Sequence, residues 1–372
     1  KTKVLARKNN LILKGGADPD LKIDHLDSLS IEVSKKYKSI DTLFVDDSFL
    51  DSLNYGEGWM WDEGPWWYAA PISALSINDN CVNFYIEPGP LGQNASVNYF
   101  PKTSYINVLN KSLTVNDTLD FKKIRIDRNW VNSKNDFTIH GEIMDTARID
   151  TFYRNINNPT IFVGTIFREL LKKNGSTVNH LSIISKNSDG YFDLIEHQSD
   201  SLLVSAKNLM NESDNLTAEL YIKSIGALDT LPGTWKTGLD SVKSFLAKEV
   251  LIDTSNIRLA DGSGVSRYNL TSSAQLIELL KWMYKSNYKD DFIYTLPGGG
   301  WPKSTLEKRL TSEAGLVRAK TGGLSGARNL AGYITSEKYG AVAFAILMNG
   351  YIGSSSKYTR LQNQIVKAVI YD

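Results

Sequence analysis

The chain is poor in the residues that build most hydrolytic centres. Of its 372 residues one is cysteine, Cys81, and four are histidine, His25, His140, His180 and His197. A single thiol excludes an internal disulfide and a cysteine-built metal site. The histidines are scattered through predicted strands and loops, none at zinc-ligand spacing, and no Gly-x-Ser-x-Gly elbow occurs. A Ser-His-Asp hydrolase and a zinc enzyme are therefore both poorly supported. No apolar run approaches the roughly 18 residues that a membrane span requires. An excess of one charge is lacking too: 42 Lys and Arg face 41 Asp and Glu, a net charge of +1. Only "KKYK" (Lys35–Lys38) and "KKIRIDR" (Lys122–Arg128) are notably basic, and the second alternates with Ile and Asp as a solvated strand does. Polyanion binding needs a clustered basic face, so no nucleic-acid partner is expected.

What is present reads as a soluble globular chain, with 42% hydrophobic and 22% charged residues. The length exceeds what one core usually holds, which predicts two or three domains. The opening "KTKVLARKNNLILKGG" alternates like strands. With no initiator Met and no signal peptide, it has the look of a mature or trimmed protein that starts mid-domain. To about Thr160 the sequence is strand-rich: "DTLFVDDSFL", "CVNFYIEPG", "ASVNYF" and "FTIHGEIMDTARIDTFYRN" carry β-branched and aromatic residues bounded by Gly, Pro and Asn. "KIDHLDSLSIEVSKKY" alone has the spacing of a short helix. Helices then dominate, in "TIFVGTIFRELLKKNGS", "SLLVSAKNLMNESDNLTAELYIKSIGA", "TWKTGLDSVKSFLAKEV" and "SSAQLIELLKWMYKS". Two strands, "NLAGYIT" and "GAVAFAILMNG", joined by the turn "SEKY", and a final helix "YTRLQNQIVKAVIYD" close the chain. The order predicts an α+β fold, without repeats or low-complexity tracts.

Two short motifs carry the chemistry. In "NLMNESDNLTAEL" (Asn208–Leu220) a helical apolar pattern is interrupted by Ser-Asp-Asn, three residues that compete with the helix backbone and favour caps and turns. A turn joining two helices is the plain reading; a hydroxyl and an amide aimed into a cleft is the functional one. In "RAKTGGLSGARNLAGY", Lys320-Thr321-Gly322 precedes an apolar strand. A lysine and a threonine at a strand edge can grip a carboxylate by charge and hydrogen bond, and the glycines let a ligand backbone lie against that edge. Without a histidine nearby, lysine is the expected base.

Each tripeptide alone is weak. Together, Ser-Asp-Asn and Lys-Thr-Gly belong to the motif set of active-site-serine β-lactamases and penicillin-binding proteins. The rest of the chain resembles one branch of that superfamily, the low-molecular-mass D-alanyl-D-alanine carboxypeptidases/endopeptidases with large inserted domains. The likeness is carried by "GGADPDL" (Gly15–Leu21), "GWMWDEG" (Gly58–Gly64), "SALSINDN" (Ser73–Asn80), "MNESDN", "PGTW" (Pro232–Trp235), "DGSGVSRYNL" (Asp261–Leu270) and "AKTGGLSGARNLAGY", and spans nearly the whole chain. The resemblance implies roles position by position. Ser213 would relay a proton towards the leaving amine, Asn215 would hold the substrate amide, and Lys320 with Thr321 would bind the terminal carboxylate. Gly322 would belong to the same strand edge, and the backbone N–H of Gly323 would form half of an oxyanion hole, a donor type that contributes on the order of 10²–10³ in rate. Glu63 and Arg267 resemble charged positions near the family's cleft and would meet the ammonium and carboxylate of a diaminopimelate side chain; ordinary ion pairs are the alternative.

The family's nucleophile lies in a Ser-x-x-Lys at a helix start, just upstream of the first inserted domain, and is expected before Lys1. Two matches occur within the chain: "SNYK" (Ser286–Lys289), at a helix end, and "SSSK" (Ser354–Lys357), expected in a loop. Neither begins an apolar helix in this reading, so both are taken as coincidence. The tryptophans of "GWMWDEGPWWYAA" suggest a sugar platform, but packing that braces Glu63 is the favoured expectation. "DGSGVS" lacks the ending of a phosphate loop and reads as a tight turn at the cleft rim.

The expected architecture is a transpeptidase-like domain, an antiparallel sheet flanked by helices, over residues 157–372. β-rich inserts would occupy 1–156, with a smaller one nested near 76–140. The expected activity is a periplasmic serine carboxypeptidase/endopeptidase acting on peptidoglycan stem peptides through an acyl-enzyme, with β-lactams acylating the same serine. No metal and no cofactor are implied, and an oligomer is left open. The rival expectation is a muropeptide-binding or scaffold protein of the same fold without the nucleophile.

Overall fold

A computed structural model describes residues 1–184 and 188–371. They form two compact units, Lys1–Ser199 with Ala227–Thr234, and Asp200–Gly226 with Trp235–Asp372.

The first unit begins with strands β1 (Thr2–Arg7) and β2 (Asn10–Lys14), helix α1 (Ile23–Lys36) and strand β3 (Ser39–Asp46). Six more strands follow: β4 (Cys81–Glu87), β5 (Ser96–Phe100), β6 (Asn107–Val115), β7 (Arg125–Arg128), β8 (Asp136–Met144) and β9 (Asp150–Asn155). Helix α2 (Pro159–Lys173) and strands β10 (Thr177–Ile183) and β11 (Phe192–His197) complete it. The main sheet has the order β10-β3-β2-β1-β11, with β3 parallel to both neighbours and the remaining pairs antiparallel. Its inner strands read as unbroken apolar runs, Val4–Ala6 and Leu11–Leu13, all buried, as strands covered on both faces do. Helix α2 turns Phe162, Val163, Ile166 and Phe167 into the core. Gly164 lets it close on β3: a Cβ there would stand 2.6 Å from Val45 Cγ1.

Residues 81–155 form two small sheets, β5-β4-β9 and β6-β8-β7, and share one apolar core with the main sheet through Phe84, Phe137 and Ile139. The nested insert was expected near 76–140; the strands of these two sheets run from Cys81 to Asn155. The compact units divide the chain after residue 199, not after 156, and strand pairing gives the reason. Strand β10 pairs with β3 and β11 with β1, so the segment beyond 156 closes the first unit's sheet. Composition signals the change from strand to helix at α2, but not that α2 and two further strands return to an earlier sheet.

The second unit opens with helix α3 (Leu202–Asn208), a single wider π-type turn (Leu209–Ser213) and helix α4 (Asn215–Asp229), whose last residues cross into the first unit. Helices α5 (Trp235–Lys248), α6 (Ser273–Lys285) and α7 (Lys289–Thr295) follow. Strands β12 (Val317–Leu324), β13 (Ala327–Ser336) and β14 (Gly340–Asn349) make an antiparallel sheet before helix α8 (Ser356–Tyr371). The expected final helix runs to residue 372, which lies outside the described residues. Helix α8 buries Val366 and Ile370 against Val317, Ala319, Leu330 and Ile334. Leu280 of α6 packs with Tyr333, whose hydroxyl donates to Leu280 O at 2.7 Å. An antiparallel sheet flanked by helices is what the sequence predicts here, and β12 is its edge.

Candidate active site

The helical run containing Ser-Asp-Asn breaks in a specific way. At the last residue of the π-type turn Ser213 takes φ +62°, a left-handed value that costs a non-glycine residue energy and so requires support. Asp214 starts the next helix: its Oδ1 accepts from Leu216 N at 2.9 Å and its Oδ2 from the Thr217 hydroxyl, an N-cap by bonding pattern. The middle residue of the motif is thus structural. The outer two are displayed, Ser213 on the strained turn and Asn215 at the first position of α4.

Opposite them lies β12. Strand alternation places Val317 and Ala319 towards α8 and Lys320 on the other pleat. There Lys320 Nζ donates to Ser213 Oγ at 2.7 Å and to Thr321 O at 2.9 Å. Residues 107 apart in the chain therefore share one site. Burial lowers the Lys320 ammonium from its ordinary 10.5 to about 8, so at neutral pH it is charged and near its titration point, where a group can both give and take a proton. Thr321 faces the opposite pleat and meets Lys320 through its carbonyl, not its hydroxyl.

The edge of β12 is oriented for a ligand. Ala319 N donates to Pro297 O at 2.9 Å, away from β13, and with a period of two the N–H groups of Thr321 and Gly323 point off the same side. Beyond Ala319 no further backbone partner takes up that edge among the described residues. A donor at Gly323 N and an ammonium at Lys320 are what a peptide carboxyl end and a developing oxyanion both require. Gly322 and Gly323 differ in tolerance: a Cβ on Gly322 would stand 3.6 Å from Asn329 Cβ, one on Gly323 only 2.7 Å from Arg328 Nη1.

Arg267 reaches this hairpin, donating from Nη1 to Ser325 O at 3.0 Å in the β12–β13 turn. It sits on the Gly-rich turn that sequence reasoning placed at the rim. The anchors of that turn went unrecognised. Glu219, fully buried on α4, accepts from Gly262 N and Ser263 N, both at 2.8 Å, and from Trp235 Nε1 at 2.7 Å. Asp261 accepts from Gly264 N, Ser266 N and Asn269 Nδ2. Burial first, and then Asp261, raises the Glu219 carboxyl. The signal was available: Asn215, Glu219 and Lys223 recur every four residues on one face of α4.

The two Ser-x-x-Lys tetrapeptides have ordinary roles. Ser286 closes α6, its hydroxyl donating to Met283 O at 2.8 Å. Ser354 lies in the loop after β14, as expected, and its hydroxyl bonds that of Ser356, where α8 begins, so the last two residues of Ser-Ser-Ser-Lys open that helix.

Glu63 belongs to the first unit, on a 3₁₀ turn of residues 61–63, whereas Arg267 belongs to the second. The expected packing of the neighbouring aromatics does not hold. Trp61 is 76% exposed and Trp66 and Trp67 are 42% and 45% exposed, because 3₁₀ turns and Gly58 and Gly64 keep this segment outside the sheets, at the surface.

Comparison with known proteins bears on the whole arrangement. The chain is 29% identical over 92% of its length to a D-alanyl-D-alanine carboxypeptidase of Actinomadura sp. (strain R39), of which it spans 66%. It is 28% identical over 92% of its length to the D-alanyl-D-alanine carboxypeptidase DacB of Haemophilus influenzae, spanning 72% of that protein. The crystal structure of penicillin binding protein 4 (dacB) from Haemophilus influenzae matches the fold with a TM-score of 0.84 at 24% identity, covering the full chain and 86% of that structure. The predicted fold is thus observed. A model of the D-Ala-D-Ala carboxypeptidase 3 (S13) family matches residues 1–369, and the chain belongs to that family.

Proposed function

We propose that this protein is a serine-type D-Ala-D-Ala carboxypeptidase/endopeptidase of the cell wall, exported to the periplasm, acting on peptidoglycan stem peptides and acylated by β-lactams. Family membership supports the reaction class, and a relative of this fold has been crystallised with a β-lactam. No helix among the described residues is long and apolar enough to cross a membrane. The observation that carries the reading is the 2.7 Å contact between Lys320 Nζ and Ser213 Oγ beside an open strand edge.

In the proposed reaction the serine of a Ser-x-x-Lys motif in the whole protein attacks the carbonyl of the penultimate D-Ala. The serine oxygen gains a bond to carbon, its proton passes to a lysine, and the oxyanion accepts from Gly323 N. The C–N bond then breaks as the leaving nitrogen takes a proton relayed through Ser213 and Lys320. Asn215 holds the substrate amide, Lys320 and the edge N–H of Thr321 the terminal carboxylate, and water later hydrolyses the ester. Arg267, beside the β12–β13 turn, meets the carboxylate of a diaminopimelate side chain.

Labelled penicillin tests this on the whole protein. A covalent band that disappears with excess substrate peptide, and weakens at least about tenfold in Lys320→Ala, is the expected result. No band and no D-Ala release would refute the peptidase and leave a muropeptide-binding protein.

A further inference from the structure

The oxyanion donor of the proposed site is a glycine, which has no side chain to hold its backbone in place. Gly323 pairs with Arg328 of β13. The N–H of Ala319 leaves β13 for Pro297 O, so with a period of two Gly323 and Arg328 form a non-hydrogen-bonded pair. Neither polar group of the Gly323 backbone is tied to the neighbouring strand. In such pairs the side chains of the two strands come closest, and Arg328 lies in that space. Its Nη1 is 2.7 Å, and its Cδ and Cζ each 3.8 Å, from the place a Cβ on Gly323 would occupy. The guanidinium covers the face of Gly323 that turns towards α8.

Arg328 is itself fixed. Its Nε donates to Thr359 Oγ1 of α8 at 3.1 Å, and its carbonyl accepts from Gln362 Nε2 at 2.9 Å. Gln362 is fully buried, and its Oε1 accepts from Arg309 Nη2 at 3.0 Å. Asn363 Oδ1 accepts from Arg309 Nε at 3.1 Å and Nη2 at 2.8 Å. One face of α8 thus holds both arginines with neutral groups. The buried Glu313 belongs to Lys367 at 3.1 Å, and no carboxylate pairs with Arg328 among the described residues. Its charge is felt nearby: burial first, and then Arg328, lower the Arg309 guanidinium to about 10. An uncompensated cation behind a backbone donor favours negative charge in front of it.

We infer that Arg328 is a positioning residue: packed on Gly323 and latched to α8, it holds the Gly323 N–H at the strand edge where the oxyanion forms. This role rests on the function proposed above. Penicillin acylation of the whole protein tests it through the limiting rate, the half-saturating concentration and the ester carbonyl band of the acyl-enzyme in infrared difference spectra. A carbonyl that loses a hydrogen bond absorbs at higher frequency. Arg328→Ala is expected to slow acylation about tenfold, a fraction of what a lost oxyanion donor costs, to leave half-saturation within about twofold, and to raise the band. Arg328→Lys, which keeps stem and charge, should recover part of the rate. Arg309→Met loosens the same face of α8 away from Gly323, so its urea midpoint falls while the band stays. The inference is overturned if Arg328→Ala keeps the native rate and band, if half-saturation rises in step with the lost rate, if Arg328→Lys recovers nothing, or if Arg309→Met moves the band equally. A native protein that takes no label removes the reaction and this role together, whereas a labelled native protein with an unmoved band in Arg328→Ala removes the role alone.

Discussion

At the scale of single residues the site depends on two unfavourable states that support each other. Ser213 holds a left-handed backbone, and Lys320 holds a charge where burial disfavours it; the hydrogen bond between them offsets part of both costs. Replacing Ser213 with glycine separates shape from chemistry, since glycine takes φ +62° without penalty. Ser213→Gly is expected to lower β-lactam acylation by about 10²-fold while its urea midpoint stays level or rises. A fall in the midpoint comparable to that of a core truncation would show that the hydroxyl is structural. The lysine gives a pH signature. On the role proposed for Lys320, the free enzyme loses its grip on the carboxylate as pH rises through about 8, and kcat/KM is expected to show an alkaline limb there. In the complex the bound carboxylate favours the ammonium and moves the limb of kcat upward. Lys320→Arg should remove the limb from the accessible range. Stability runs the other way. Between about 8 and 10.5 the unfolded chain binds a proton that the folded one does not, so folding stability from this residue increases with pH across that window.

At the scale of elements, α4 organises the centre. Its first residue is Asn215, its cap is Asp214, and one turn further Glu219 fastens the turn that carries Arg267. Both oxygens of Glu219 face N–H donors, so Glu219→Gln would turn an NH₂ towards one of them. A loss of about 1–3 kcal/mol is expected for such a buried mismatch, measured by urea denaturation, together with a weaker grip on diaminopimelate-containing peptides. The same element shows how much was legible. Period and breakers located the interruption, because backbone-competing residues in an apolar helical pattern leave a local trace. Lys-Thr-Gly and the following hairpin were legible for the same reason. Glu219 was missed although it recurs with Asn215 and Lys223 on one helix face: the recurrence marks a polar face, whereas the N–H groups of Gly262 and Ser263 that define its role lie 43 and 44 residues away. Trp61, Trp66 and Trp67 were misjudged in the opposite sense: composition favours burial for indoles, whereas the turns of this segment hold these three at the surface.

At the scale of the whole molecule, two units hold separate apolar cores, one around Leu11, Phe84 and Phe167, the other around Val317, Leu330 and Val366. The chain passes between the units at residues 199/200, 226/227 and 234/235, and the 157–199 segment escaped sequence reasoning because strand pairing across such distances has no local signature. Separate cores predict separate unfolding steps. A ligand stabilises the state it binds by RT ln(1 + [L]/Kd), about 2.7 kcal/mol at a hundredfold excess over Kd. In differential scanning calorimetry a peptide ending in D-Ala should therefore raise the transition of the unit bearing Ser213 and Lys320 and leave that of the other unit in place. The expected pattern is two resolvable transitions, of which the peptide moves one. A single transition, shifted as a whole by the peptide, would mean that the cores unfold as one cooperative body and that this partition of the molecule is wrong.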